Sequence, residues 1–360
     1  MSTAERTPAS ASHNDRDDVR TLLERAGLRH VGFAAAGPAP HRSHFRAWLD
    51  RGFAATMDYL ARRVERREDP RAIVPGAQTV IVAAIPYRGS APFSVAKAAD
   101  DRAEIAAYAQ GTDYHRVLEK RLKTVSRRLQ EQYHETFRYY VDTGPVLERD
   151  WAQLAGVGWI GKNTCTLRAA NGSFLFLAVI ITTLKLEPDA PATNHCGTCQ
   201  RCLDACPTDA FRGPYELDAG RCISYLNIEH RGEVDPKLEP HLGNLVFGCD
   251  ICQEVCPFNR PERLEADAEL KPRPENLTPR LTELARLDQD SFRARFAQSA
   301  VRRAKFEGFM RNVLIAMGNS HHPGCQSELE ELGKREDIRS NPVLHRTWQR
   351  ALERSKKYRP

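Results

Sequence analysis

The sequence predicts an α/β domain, then a loop-rich cysteine module, then an all-helical end. Three observations carry this reading. Through the first half, strand-like apolar runs alternate with helical patterns, as in α/β domains. Eight of the ten cysteines fall within the 61 residues from Cys196 to Cys256. After Pro261 the strand-like runs stop and only helical periodicity remains.

Taken in order, Met1 to about Asp18 is rich in Ser, Thr, Ala and charge and has no apolar leader core, so a disordered lead-in is expected. Asp18 to Ala26 reads as an amphipathic helix stopped at Gly27, His30 to Ala34 as a strand, and Phe45 to Gly52 as a second helix. Met57 to Arg71 is dense in arginine (Arg62, Arg63, Arg66, Arg67, Arg71). Such density ordinarily marks a solvated face, and one or two of these residues are candidates to hold a phosphate or carboxylate. Thr79 to Tyr87 is a continuous apolar, β-branched run and reads as a buried central strand. A helix from about Tyr114 to Tyr133 and a strand from Phe137 to Val141 follow. That strand stops at Asp142-Thr143-Gly144-Pro145, where α/β sheets gather ligand groups beyond strand ends, so Asp142 is a candidate to enter a crevice. The alternative is a turn or capping Asp. Val146 to Ala155 is helical, and Phe174 to Thr183 is a further buried strand. Leu281 to Leu287, Asp290 to Phe296, Phe306 to Met317, Gln326 to Lys334 and Pro342 to Lys356 are helical, making a paired-helix end of HEAT type. The expected division is a lead-in over 1–18, an α/β domain over 19–187, a cysteine module over 188–262 and the helical region over 263–360.

Within the cysteine module, Cys196 to Pro207 has the spacing C-x2-C-x2-C-x3-C-P. Three close thiolates of such a run grip one [4Fe-4S] cube while the fourth reaches a second, as in ferredoxin-like modules with two clusters. Cys249, Cys252 and Cys256-Pro257 repeat the pattern, but Val246 stands where the first ligand belongs. A cube needs four ligands, and Cys222 is the nearest unassigned thiol. Cross-ligation then assigns Cys196, Cys199, Cys202 and Cys256 to one cluster and Cys206, Cys222, Cys249 and Cys252 to the other. Structural zinc is the alternative, and it explains neither the four-Cys run nor the two Cys-Pro endings. Cys165 and Cys325 have no partner spacing and read as ordinary cysteines. Clustered thiols in a chain of 360 residues exclude a disulfide-stapled secreted scaffold, and the longest apolar run, Phe174 to Leu184, is too short to span a bilayer. A soluble cytoplasmic protein is expected.

Net charge is +6, and between Ser291 and Pro360 there are 15 Lys or Arg against 7 Asp or Glu. This basic end suits a polyanion such as nucleic acid, or is an ordinary solvated helical face. Gly156 to Gly161 fits G-x-G-x-x-G, yet a helical stretch precedes it and no acidic residue follows at the required distance, so a nicotinamide cofactor is discounted. The same loop nearly spells a phosphate-binding loop, but Asn163 replaces the required Ser or Thr. Its glycine amides with Lys162 and Asn163 either cradle a cofactor or merely permit a tight turn. In Tyr108 to His115, Asp113 either caps the following helix or lines a pocket.

The motifs Y-A-Q-G-T-D-Y-H, V-D-T-G-P-V-L-E-R-D, G-W-I-G-K-N-T, C-I-S-Y-L-N-I-E-H-R-G and G-C-D-I-C-Q-E-V-C-P, with the four-Cys run, resemble the epoxyqueuosine reductase family from about Met57 to Ser320. The resemblance implies a cobalamin-dependent iron-sulfur enzyme, related to reductive dehalogenases, that reduces epoxyqueuosine to queuosine at the wobble base of tRNAs with a GUN anticodon (Asp, Asn, His, Tyr). It implies that Asp142 is the general acid and that Arg67, Tyr108, Lys162, Asn163 and Asp250 surround the corrin. Ala106 stands where some relatives carry a Cys, so no thiol role is carried over there. Electrons are expected to come from a ferredoxin or flavodoxin type donor through both clusters to cobalamin. The acid is expected to have a pKa near neutrality, raised by burial. His230, Arg231, Arg302, Arg303 and Arg311 are the expected tRNA contacts, and a monomer is expected. Two other classes compete: a small-molecule reductase of dehalogenase type, and a non-catalytic two-cluster electron carrier. The missing export signal and the basic end disfavour the first; the second leaves the first 185 residues without a purpose.

Overall fold

The computed structural model describes residues 13–89, 100–260 and 266–357. Its first half is built on a four-stranded sheet in the order Gly32–Ala35, Thr79–Pro86, Leu175–Thr182, Phe137–Tyr140. The apolar run read as a central strand is central, with all eight residues buried. Every pairing in this sheet is antiparallel. Strands Thr79–Pro86 and Phe137–Tyr140 both run against Leu175–Thr182, so their carboxyl ends share one edge. That edge carries Tyr87 and Arg88 after one strand and Asp142 after the other, and Phe174 enters Leu175–Thr182 there.

Helices cover both faces. His13–Arg25 and Tyr114–Tyr133 bury Leu23, Leu118, Leu122 and Leu129 against one side, and Glu148–Leu154 packs Trp151 and Ala152 on the other. Each of these leucines contributes about 1.5–3 kcal/mol. Asp113 caps Tyr114–Tyr133 by accepting from the His115 amide. The first helix begins at His13, so the expected lead-in is too long; residues 1–12 lie outside those described, as does the boundary at 262.

The remaining boundaries interlock. Glu104–Ile105, expected in the first domain, pairs in parallel with Leu245–Phe247 of the cysteine module. Val246, where a ligand was missing, is fully buried in the helical-end core, and its carbonyl accepts from Asn312. The helical end forms near its expected positions, as Leu281–Ala285, Gln289–Arg295, Lys305–Asn319, Pro323–Leu332, Glu336–Ser340 and Pro342–Lys356. Lys305–Asn319 is its axis, buried continuously from Phe309 to Gly318. Gly318 is required there, because a Cβ would stand 2.6 Å from Ala351 Cα in Pro342–Lys356.

Arg311 lies on this axis and corrects one expectation. It is 1 % exposed, and its guanidinium donates to the carbonyls of His230, Gly232 and Leu226 and to Asn312 Oδ1. It fastens the cysteine module to the helical end and cannot contact tRNA. Burial pushes its pKa down to about 10. Arg311→Met leaves these acceptors unpaired, at a cost of roughly 2–5 kcal/mol. A melting temperature lowered by several degrees is the expected result in thermal denaturation, with Arg302→Ala unchanged as the surface control.

Candidate active site and cluster module

The shared sheet edge opens on a crevice governed by Asp142. Its backbone is left-handed (φ 57°), a conformation Asp and Asn tolerate better than most residues. This turns the carboxylate outward, with its side chain 66 % exposed. Tyr114 donates its hydroxyl to Asp142 Oδ2 at 2.8 Å, and His115 Nε2 stands 3.5 Å from the same oxygen. The Asp142 amide donates to Glu148 Oε1 at 2.8 Å, and Arg67 reaches the carbonyl of Gly144 in the same loop.

These contacts reverse the expected protonation. The His115 imidazole 3.5 Å away, opposed by burial and aided by the Tyr114 hydroxyl, holds the Asp142 carboxyl below its ordinary value, so it rests ionised at neutral pH. His115 is raised to about 9: burial opposes its charge, but Asp113 and Asp142 together outweigh burial. Glu148 is raised to about 8, first by burial and then by the charge of Asp142. Both groups therefore favour their protonated forms at neutral pH, His115 beside the Asp142 carboxylate and Glu148 against the amide of the same residue. Tyr114, His115 and Glu148 all lie inside the motifs quoted above. Their roles went unread because only the fold shows which side chains meet.

From this crevice a contact chain leads to the cysteines. Tyr108 packs edge-on to Tyr114 and against Phe247. The neighbouring Ala107 amide donates to Asp250 Oδ2 at 2.7 Å, and Asp250 lies between Cys249 and Cys252. Burial raises Asp250 to about 6. Arg88 faces Asp250 and Glu254 at 3.6 and 3.3 Å and lies over the Phe174 ring. Gly248 is required beside them, since a Cβ would stand 2.4 Å from Ala106 Cβ.

The cysteines separate into two groups. Cys196, Cys199, Cys202 and Cys256 line one cavity together with Lys162, Asn163 and Phe258. Cys206, Cys222 and Cys249 lie within one another's electrostatic reach, and Cys222 and Cys249 within that of Cys252. The Ala210 amide is aimed at Cys206 Sγ at 3.4 Å. Two half-buried sets of thiols, one with an N–H donor on sulfur, fit the chemistry of two iron-sulfur clusters.

Three expectations change here. Lys162 donates to the carbonyls of Gly197 and Cys199, and Asn163 donates to the carbonyl of Cys252, so both side chains brace the cluster loops and do not face the crevice. Cys165, read as ordinary, lies beside Cys252, within its electrostatic reach. His230 is half-buried, with its ring between the Tyr225 hydroxyl and the Glu233 carbonyl, and Arg231 donates to the carbonyls of Ile228, Arg303 and Ala304. Of the expected tRNA contacts, Arg302 and Arg303 are exposed, and Arg303 is paired with Glu229. Much of the basic excess is likewise neutralised internally: Arg346 pairs with Glu233, Arg350 with Glu233 and Glu239, and Arg354 with Glu239. No helix among the described residues is long and apolar enough to cross a membrane.

Residues 195–259 match the family model of the 4Fe-4S double cluster binding domain, and residues 67–143 match that of epoxyqueuosine reductase QueG. The chain is 39% identical over 345 residues to the epoxyqueuosine reductase of Pseudomonas aeruginosa, covering 95% of this chain and 94% of that one. With the Escherichia coli enzyme it shares 35% over 326 residues, 89% and 85% of the two chains. Among solved structures, an epoxyqueuosine reductase with an epoxyqueuosine-modified tRNA-Tyr stem loop aligns with TM-score 0.87 and 28% identity, over 95% of this chain and 90% of that one.

Proposed function

The chain belongs to the epoxyqueuosine reductase family of oxidoreductases, and from that premise we propose that it reduces epoxyqueuosine to queuosine at the wobble position of tRNA. The observation that carries this reading is the unbroken contact path from Asp142 through Tyr114, Tyr108 and Ala107 to Asp250, between two cluster cysteines. Converting an epoxide to an alkene and water takes two electrons and two protons, and no side chain supplies the electrons.

The two cysteine sets hold one [4Fe-4S] cluster each, Cys196, Cys199, Cys202 and Cys256 for the first, Cys206, Cys222, Cys249 and Cys252 for the second. Arg67 and Tyr108 would hold cobalamin: Arg67 Nε is buried without a partner beside the crevice, and Tyr108 forms its aromatic wall. When bound, cobalamin supplies the low-potential reducing chemistry that the side chains lack. Everything else falls to the chain itself. Asp142 is the proton donor to the departing oxygen, and because it rests ionised, it must first draw that proton from His115, whose Nε2 stands 3.5 Å from its carboxylate. Glu148 holds the second proton behind the same loop. The exposed position of Asp142 leaves room for a nucleotide drawn out of an anticodon loop, the form in which single-stranded RNA is read.

The test is turnover by the anaerobically reconstituted enzyme, given epoxyqueuosine tRNA and a chemical reductant. Mass analysis of the nucleosides should show loss of one oxygen. An unchanged epoxide, with clusters and cobalamin both loaded by absorbance, overturns the reading.

A further inference from the structure

Tyr59 extends the tRNA reading, on which it rests, to a particular contact. The residue is 42% exposed, in the short turn Asp58–Leu60 at the start of the arginine-dense segment. Its place is determined from both sides. Upstream, the Thr56 amide and hydroxyl meet the Tyr225 hydroxyl at 3.2 and 2.7 Å, and Trp48 Nε1 donates to the Leu217 carbonyl, so this segment is pinned to the cysteine module. Downstream, the helix Val64–Glu68 delivers Arg67 to the carbonyl of Gly144, two residues beyond Asp142. Tyr59 therefore stands on the crevice lip, within electrostatic reach of Asp142, Arg67 and the Arg303–Glu229 pair. Arg62 and Arg63 follow it, exposed and with no acidic partner among the described residues.

A nucleotide presented to Asp142 must leave its stack, which strips a neighbouring base of its stacking partner. An exposed aromatic ring beside guanidinium groups is what replaces that partner in single-strand recognition. We propose that Tyr59 is the stacking platform for the unpaired base next to the modified nucleotide, with Arg62 and Arg63 facing the adjacent phosphates.

The experiment is a titration of holoenzyme with a fluorescein-labelled anticodon stem-loop RNA carrying an unmodified G-U-N anticodon, at several salt concentrations. Tyr59→Ala should weaken binding about tenfold to a hundredfold, the range of one lost base stack. Its salt slope should stay that of the parent, since no phosphate contact is lost, whereas Arg62→Ala with Arg63→Ala should flatten the slope. Tyr59→Phe and Tyr59→Trp should retain binding within about twofold, because both keep a stacking face. Parental affinity in Tyr59→Ala overturns the proposal while leaving the tRNA reading intact. Loss of bound cobalamin in that variant, read by absorbance with RNA affinity unchanged, also overturns it and moves Tyr59 to the cofactor pocket. Failure of the parent enzyme to bind the RNA at all overturns both.

Discussion

Asp142→Asn is expected to lower turnover of epoxyqueuosine tRNA by about 10²–10⁴-fold, the loss typical of a removed general acid. Asn accepts the same left-handed backbone, so the loop keeps its shape and only the proton is lost. Cluster content, cobalamin content and RNA affinity should match the parent. Turnover within a few-fold of the parent would remove Asp142 from the proton path. The pH profile tests the same arrangement from its other end. His115 and Glu148 hold protons above their ordinary ranges, so the loaded state is full at neutral pH. It empties as pH rises through about 8 for Glu148 and about 9 for His115. An alkaline fall in kcat/KM over that window is expected, and Glu148→Gln should leave only the limb near about 9. An activity that instead rises through this window would contradict the relay.

Cys222→Ala has the second large effect. Cys222 lies between the two cysteine runs in sequence and at the start of Ile223–Ile228 in the fold, within electrostatic reach of Cys206. Its loss should reduce iron from about eight atoms per chain to about four and abolish electron delivery. Cys325→Ala, a buried cysteine of the helical end, should leave iron content unchanged. Retention of about eight iron atoms in Cys222→Ala would transfer the ligand role to Cys165, the thiol beside Cys252. The doubly substituted chain, Cys222→Ala with Cys165→Ala, would then drop to about four.

Element positions and the double-cluster module were legible because both are local. The central strand, the helix Tyr114–Tyr133 and the run from Cys196 to Cys206 each declare themselves within about twenty residues, through side-chain periodicity or ligand spacing. The broken spacing at Val246 was legible in the same way, and it is what makes Cys222 the candidate fourth ligand.

What a polar group does with its charge was not legible. Arg311 reads as one more cation on a basic helix, yet three carbonyls from residues 226–232 bury it. Lys162 reads as a cofactor ligand and instead braces the loop around Cys199. Asp142 was placed correctly at its strand end, but its ionisation was inverted, because His115 and Glu148 come from different stretches of chain and meet only across the sheet edge. The sequence by itself determined the family, the order of the elements and the double-cluster cysteine pattern, all of which follow from short-range pattern. Only the tertiary structure decided which charges are buried, paired or free. Electrostatic energy depends on distance and desolvation in space, and neither quantity is written along the chain.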